Sequence, residues 1–308
     1  MIGIESIAYY IPSSKRNNYD LMDKFQIDEN FIKDKIGFEQ VSTKDSNEEA
    51  SDLCFKAWQN IPLNTREEIM NSIDCIVVVT QNPDSNIPHV SAKIHGMLEL
   101  KESCACFDIS LGCSGFVYAL SVVESFVKEN GMNKALMFTA DPYSKIINPD
   151  DKNTALLFGD AASVTVIGSN AKYTTGKFNF GTIGKLHKEL VCNNSELYMN
   201  GRSIFDFAAR YVPKDVASIL IKNNIEQEEI DLFLFHQGSK YIIDTIKKRL
   251  QLPEEKVPFL AGQYGNTVSS SIPIMLSNYM ENKDIRNVLI SGFGVGLSWA
   301  STILINNK

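Results

Sequence analysis

No stretch of the chain approaches the roughly 18 consecutive apolar residues that cross a bilayer. The opening MIGIESIAYYIPSSKRNNYD also lacks a basic leader followed by a long apolar run and a small-residue cleavage site. Neither a membrane span nor a secretory signal is expected, and the expected compartment is the cytoplasm. Positive charge is in short supply, with 30 Lys and Arg against 37 Asp and Glu and a net charge of -7. Neutralising phosphates takes concentrated Lys and Arg, so nucleic acid is not an expected partner. Cysteine is sparse: Cys54, Cys75, Cys104, Cys106, Cys113 and Cys192 lie mostly in apolar runs and form no disulfide framework. Cys104 and Cys106 would share one side of a strand, but no second pair or nearby histidine completes a zinc pattern. His89 and His95 are unpaired and read as structural or surface residues.

What the chain does have is 44% hydrophobic and 22% charged residues, enough apolar material for a sizeable core. Ile2 to Ile11 reads as a strand, Glu29 to Lys35 as a short helix closed near Gly37, and Asn47 to Asn60 as an amphipathic helix. Cys75-Ile76-Val77-Val78-Val79 is a near-continuous β-branched run, the mark of a strand covered on both faces in a parallel sheet. A helix from His89 to Leu98 and strands at Ala135 to Thr139 and Val164 to Ile167 continue the alternation. The order then repeats. Asp74 and its apolar run return as Asp231 and Leu232 to Phe235, Cys113 with its helix returns as Asn266 with Ser271 to Met280, and Ala135 returns as Val288, each about 155 positions further on. Two similar α/β halves are expected, 1–168 and 169–308, joined near Gly168 to Gly176.

The stretch FDISLGCSGFVYALSVVESFV, Phe107 to Val127, reads as strand, tight turn and buried helix. Cys113 falls at the turn, where unpartnered helix amides and the helix dipole favour a thiolate; a low thiol pKa is expected. His236 in Phe235-His236-Gln237-Gly238 and Asn266 in Gly265-Asn266-Thr267 occupy comparable places. Singly, each reads as an ordinary buried histidine and an ordinary turn residue. Together, a nucleophile, a proton handler and an amide donor are the parts acyl transfer needs. The run Gly292-Phe293-Gly294-Val295-Gly296 offers backbone amides free to approach a ligand closely, half of an oxyanion hole.

These residues resemble the β-ketoacyl-acyl carrier protein synthase III enzymes of the thiolase superfamily. The resemblance runs from GIESIAYYIP through FDISLGCSGFVYALS, FGDAA, FHQG and YGNTVSSSIP to GFGVGLSWAS. It implies a five-layered α/β/α/β/α fold of two pseudo-repeated halves, a homodimer, and a Cys-His-Asn set on Cys113, His236 and Asn266. It also implies oxyanion amides at Cys113 and Val295. The implied chemistry is acyl transfer from coenzyme A to the cysteine, then decarboxylative condensation with malonyl-acyl carrier protein, with no metal or redox cofactor. Where the family places a tryptophan and two arginines against coenzyme A, this chain has Phe31, Lys35 and Lys152. Ile87 falls where the resemblance implies a residue reaching the partner's acyl pocket. Lys240, beside Tyr241, falls where carrier protein docks, and Val295 replaces a usual glycine, with a side chain expected to narrow the acyl pocket. A decarboxylating synthase is the first reading. An acyltransferase forming an ester or amide without condensation is the alternative, and the intact Cys-His-Asn set disfavours a catalytically silent subunit.

Overall fold

The computed structural model describes residues 1–307. The chain opens with β1 (Gly3–Tyr10), β2 (Lys15–Asn17), α1 (Met22–Phe25), a π-helical segment over Phe31–Ile36, and β3 (Gln40–Ser42). Next come α2 (Ala50–Gln59), α3 (Leu63–Met70), β4 (Ile73–Val79), α4 (Val90–Met97), β5 (Ala105–Ile109), α5 (Gly115–Glu129), β6 (Lys134–Ala140), α6 (Lys152–Ala155) and β7 (Ala162–Gly168). The rest comprises β8 (Tyr173–Thr175), β9 (Asn179–Thr182), the hairpin of β10 (Leu190–Asn193) and β11 (Glu196–Met199), and α7 (Gly201–Asn223). It ends with β12 (Leu232–Phe235), α8 (Lys240–Leu250), α9 (Ser271–Ser277), β13 (Asn287–Gly294) and β14 (Ser298–Asn306).

The strands lie side by side in the order β12-β13-β14-β8-β1-β7-β6-β4-β5, with β9 paired to β14. In the first half β4 and β6 are parallel and β7 is antiparallel to β6; in the second half β12 and β13 are parallel and β14 is antiparallel to β13. The same side-chain pin recurs in both. Asp74 accepts from the Asn133 amide at 2.6 Å, and Asp231 accepts from the Asn287 amide at 2.9 Å, each tying the start of one parallel strand to the start of its neighbour.

Layering follows from which way the strand side chains point. Cys75, Val77 and Val79 of β4 and Leu232 and Leu234 of β12 meet Phe116, Leu120 and Val123 of α5 and Ile272 and Met275 of α9 in one central core. The alternate residues face outward: Ile76 and Val78 pack with α2 and α4, while Phe233 and Phe235 pack with α7 and α8. Helices α5 and α9 are therefore held between the two halves of the sheet, giving five layers. An apolar side chain buried in this way contributes roughly 1.5–3 kcal/mol. The central pair of helices starts next to Cys113 and downstream of Asn266, which brings residues from both halves to one seam.

Candidate active site

Cys113 lies between the end of β5 and the start of α5, in a turn closed by the Gly115 amide donating to the Gly112 carbonyl at 2.7 Å. The side chain is buried. Strand β13 runs directly past it. A Cβ on Gly292 would come within 2.6 Å of the Cys113 carbonyl oxygen, and one on Gly294 within 2.8 Å of Sγ. Glycine at these positions is what lets the strand lie against the nucleophile.

His236 follows β12, its amide donating to the Ser291 carbonyl at 2.9 Å and its ring set edge-on to Phe293, with centroids 5.7 Å apart. It is buried and Nδ1 has no protein partner. Burial pushes its pKa down to about 3, with the Val268 backbone working in the opposite direction, so the imidazole is neutral at pH 7. Asn266 is fixed by its backbone: its amide donates to Leu157 at 2.8 Å and its carbonyl accepts from Gly159 at 3.0 Å. The preceding Gly265 takes φ 82°, where a side chain would be strained. The carboxamide oxygen accepts from the Val268 amide at 2.9 Å, so the amino group is what Asn266 has to offer a ligand.

Cys113, His236 and Asn266 line one cavity of about 910 Å³. Phe31, Lys35 and Lys152 line the same cavity; Lys35 Nζ stands 5.1 Å and Lys152 Nζ 4.9 Å from the centre of the Phe31 ring. Arg202 adds a third cation, and no carboxylate is among the lining residues. The structure leaves the other three expected site residues off the cavity wall. Ile87 is 85% exposed, and Lys240 pairs with Asp244 at 2.7 Å. Val295 does not line this cavity; its Cγ1 lies 2.9 Å from where a Cβ on Gly112 would sit, beside the Cys113 turn.

One correction concerns the thiol. Burial pushes Cys113 up to about 12, with the Asp141 charge adding to the rise, while the amides of Val295 and of Cys113 itself pull it down. Desolvation outweighs the helix start, and the resting residue is a thiol.

Several neighbours are not apparent from the sequence. Asp141, fully buried at the end of β6, accepts from the Gln81 amide at 2.7 Å and from Ser269 Oγ at 2.5 Å. Burial pushes its carboxyl up to about 6 against the pull of those donors. Phe205 and Tyr241, both lining the cavity, stack on each other with centroids 5.0 Å apart. A charged residue closing an apolar strand was the available signal for Asp141; nothing local marks the Phe205–Tyr241 pair.

Comparison with known proteins places the chain in a family. Residues 107–184 match 3-oxoacyl-[acyl-carrier-protein (ACP)] synthase III and residues 220–305 match its C-terminal part. A β-ketoacyl-[acyl-carrier-protein] synthase III from Listeria welshimeri is 33% identical over 98% of both chains. The chain belongs to the β-ketoacyl-acyl carrier protein synthase III family. A solved 3-oxoacyl-(acyl-carrier-protein) synthase III superimposes with a TM-score of 0.92 at 29% identity, covering 99% of each chain. The Thermus thermophilus synthase III does so at 0.91 and 31%, covering 98% of each. These likenesses span both halves of the chain, and the five-layered arrangement is that of the synthase III fold. No helix among the described residues is long and apolar enough to cross a membrane.

Proposed function

We propose that the chain is a decarboxylating β-ketoacyl synthase, loading an acyl group on Cys113 and condensing it with malonyl-acyl carrier protein in fatty-acid or specialised acyl biosynthesis. The observation that carries this reading is the meeting of Cys113, His236 and Asn266 in one cavity of a synthase III fold. Residues 1–168 supply the nucleophile and residues 169–308 the histidine and asparagine.

In the first step the Cys113 proton passes to a base and Sγ attacks the thioester carbon. The new S–C bond replaces the one to the donor thiol, which leaves with a proton. His236 is neutral at pH 7, which leaves one ring nitrogen able to take up that proton as it passes to the departing thiol. The amides of Cys113 and Val295 hold the oxyanion. In the second step the bond from the malonyl methylene to its carboxylate breaks. Its electron pair moves into the thioester as an enolate, whose oxygen accepts from His236 and the Asn266 amino group. The enolate carbon then attacks the acyl carbon, and Sγ departs to take up a proton. Electrons balance within the two substrates, so the reaction requires no metal or redox cofactor. A preorganised donor of this kind contributes roughly 3–4 kcal/mol to the barrier reduction.

Phe31, Lys35 and Lys152 present an aromatic face and two cations, suited to a phosphate-bearing thioester such as coenzyme A. Lys240 is assigned to carrier-protein docking, and the working form is a homodimer in which Ile87 reaches the partner's acyl pocket. The test is to incubate the protein with acyl-coenzyme A and labelled malonyl-acyl carrier protein, map the adduct by mass and count released carbon dioxide. Loading of Cys113 with carbon dioxide release is expected. Adducts on Cys54 or Cys192 with Cys113 untouched would overturn the catalytic assignment, and loading of Cys113 without carbon dioxide release would leave plain acyl transfer.

A further inference from the structure

Asp141 follows β6 as a fully buried carboxylate, a placement that is costly unless hydrogen-bond donors surround the charge. Its two oxygens draw those donors from different parts of the chain. Oδ1 accepts from the Gln81 amide at 2.7 Å, and Oδ2 accepts from Ser269 Oγ at 2.5 Å, with the Ser269 amide adding a further donor. Both partners bear on the Cys113 turn. A Cβ on Gly112 would sit 2.5 Å from Gln81 Oε1 and 3.3 Å from Val268 Cγ1, and one on Gly115 would sit 4.0 Å from Ser269 Cβ. The same Val268 donates its amide to Asn266 Oδ1 at 2.9 Å while taking φ 53°, a left-handed conformation that a β-branched residue keeps only when its surroundings hold it there. Ser269, the next residue, is the one that Asp141 holds.

We propose that Asp141 is a positioning residue for the reaction, one carboxylate oxygen holding Gln81 against the Cys113 turn and the other holding the turn that aims Asn266. This rests on the synthase reading and adds a residue to its machinery. A carboxylate so placed also acts on the thiol through its charge, which opposes formation of the thiolate. Cys113, Tyr143 and Cys54 are the titratable groups that face Asp141, and burial pushes all three up, so each is uncharged at pH 7. His236, in the same cavity as Cys113, is neutral as well. Asp141, at about 6, carries the local charge.

Two probes test this. Iodoacetamide at pH 8 reports the thiolate through the rate of Cys113 alkylation, followed by mass. Acetyl-coenzyme A with labelled malonyl-acyl carrier protein reports condensation, as carbon dioxide released per acylated enzyme. Asp141→Asn removes the charge and keeps the size; alkylation of Cys113 is expected to rise about tenfold, as a thiol pKa lowered by about one unit would give, and carbon dioxide release to fall by about 10- to 100-fold. Ser269→Ala cuts the clasp and keeps the charge, so release should fall by a similar factor while alkylation stays near the wild-type rate. A mere loosening of the fold would speed alkylation in both variants, and that result overturns the inference. Wild-type alkylation in Asp141→Asn, or wild-type release in either variant, does the same. If Asp141→Asn does not fold, Ser269→Ala decides alone: lowered release with unchanged alkylation supports the inference, and any other result overturns it. A wild-type protein that loads Cys113 without releasing carbon dioxide overturns the synthase reading instead, and the alkylation rates, which need no substrate, then decide the role of Asp141.

Discussion

Gly294 and Cys113 touch: the first side-chain carbon that any other residue would add at Gly294 lands 2.8 Å from Sγ. Gly294→Ala must therefore push either the strand or the nucleophile. A displacement near 1 Å at a reacting centre costs about 100-fold in rate. Acyl loading measured by mass should fall by about that factor, with the circular dichroism spectrum retained. Wild-type loading in Gly294→Ala would show that the Cys113 turn gives way without harm.

Asn266 has no acid-base capability, so it serves through its amino group alone. Asn266→Ala should still accept an acyl group on Cys113 while losing malonyl decarboxylation and ketoacyl product by about 100-fold or more. The readouts are acyl-enzyme mass and labelled carbon dioxide. A variant that condenses at the wild-type rate would remove Asn266 from the reaction.

His236 makes folding sensitive to acid. Its pKa is about 3 when folded, against an ordinary histidine value of 6.5 in the unfolded chain, so below pH 6.5 the unfolded chain takes up a proton that the native one refuses. Stability is lost as pH falls from 6.5 toward 3, at up to about 1.4 kcal/mol per pH unit from this residue. Urea unfolding from pH 7 to 4.5 should show a shallower loss in His236→Asn than in the wild-type protein. Parallel curves would mean that the buried ring is not the source of acid sensitivity.

Phe31 carries both Lys35 and Lys152 over its ring. Phe31→Ala should raise the KM for an acyl-coenzyme A donor about tenfold, with kcat little changed, because the contact lies away from the reacting atoms. An unaltered KM would indicate that the donor's nucleotide end does not rest there.

Legibility in the sequence followed burial. Strands β4 and β12 of the large sheet were readable because strands covered on both faces become unbroken apolar runs, as in Cys75 to Val79 and Leu232 to Phe235, whereas β8, β9 and β14 were not read. The 23-residue α7 was not, since Pro213 lies within it and its apolar residues are interrupted by Arg210, Lys214 and Asp215. Cys113, His236 and Asn266 could be grouped because the two halves repeat. The protonation state of Cys113 could not be read, because the helix start is written locally whereas the depth of burial is set by β13 passing overhead, from the far end of the chain.

Tyr173 pairs with Ile4 of β1 on one side and with Asn306 of β14 on the other. Through that single residue the hydrogen-bonded ladder is continuous from β12 to β5, across the seam between nucleophile and proton acceptor. The nucleophile and the proton acceptor are therefore carried by one continuous sheet, so their alignment is built in as that sheet forms.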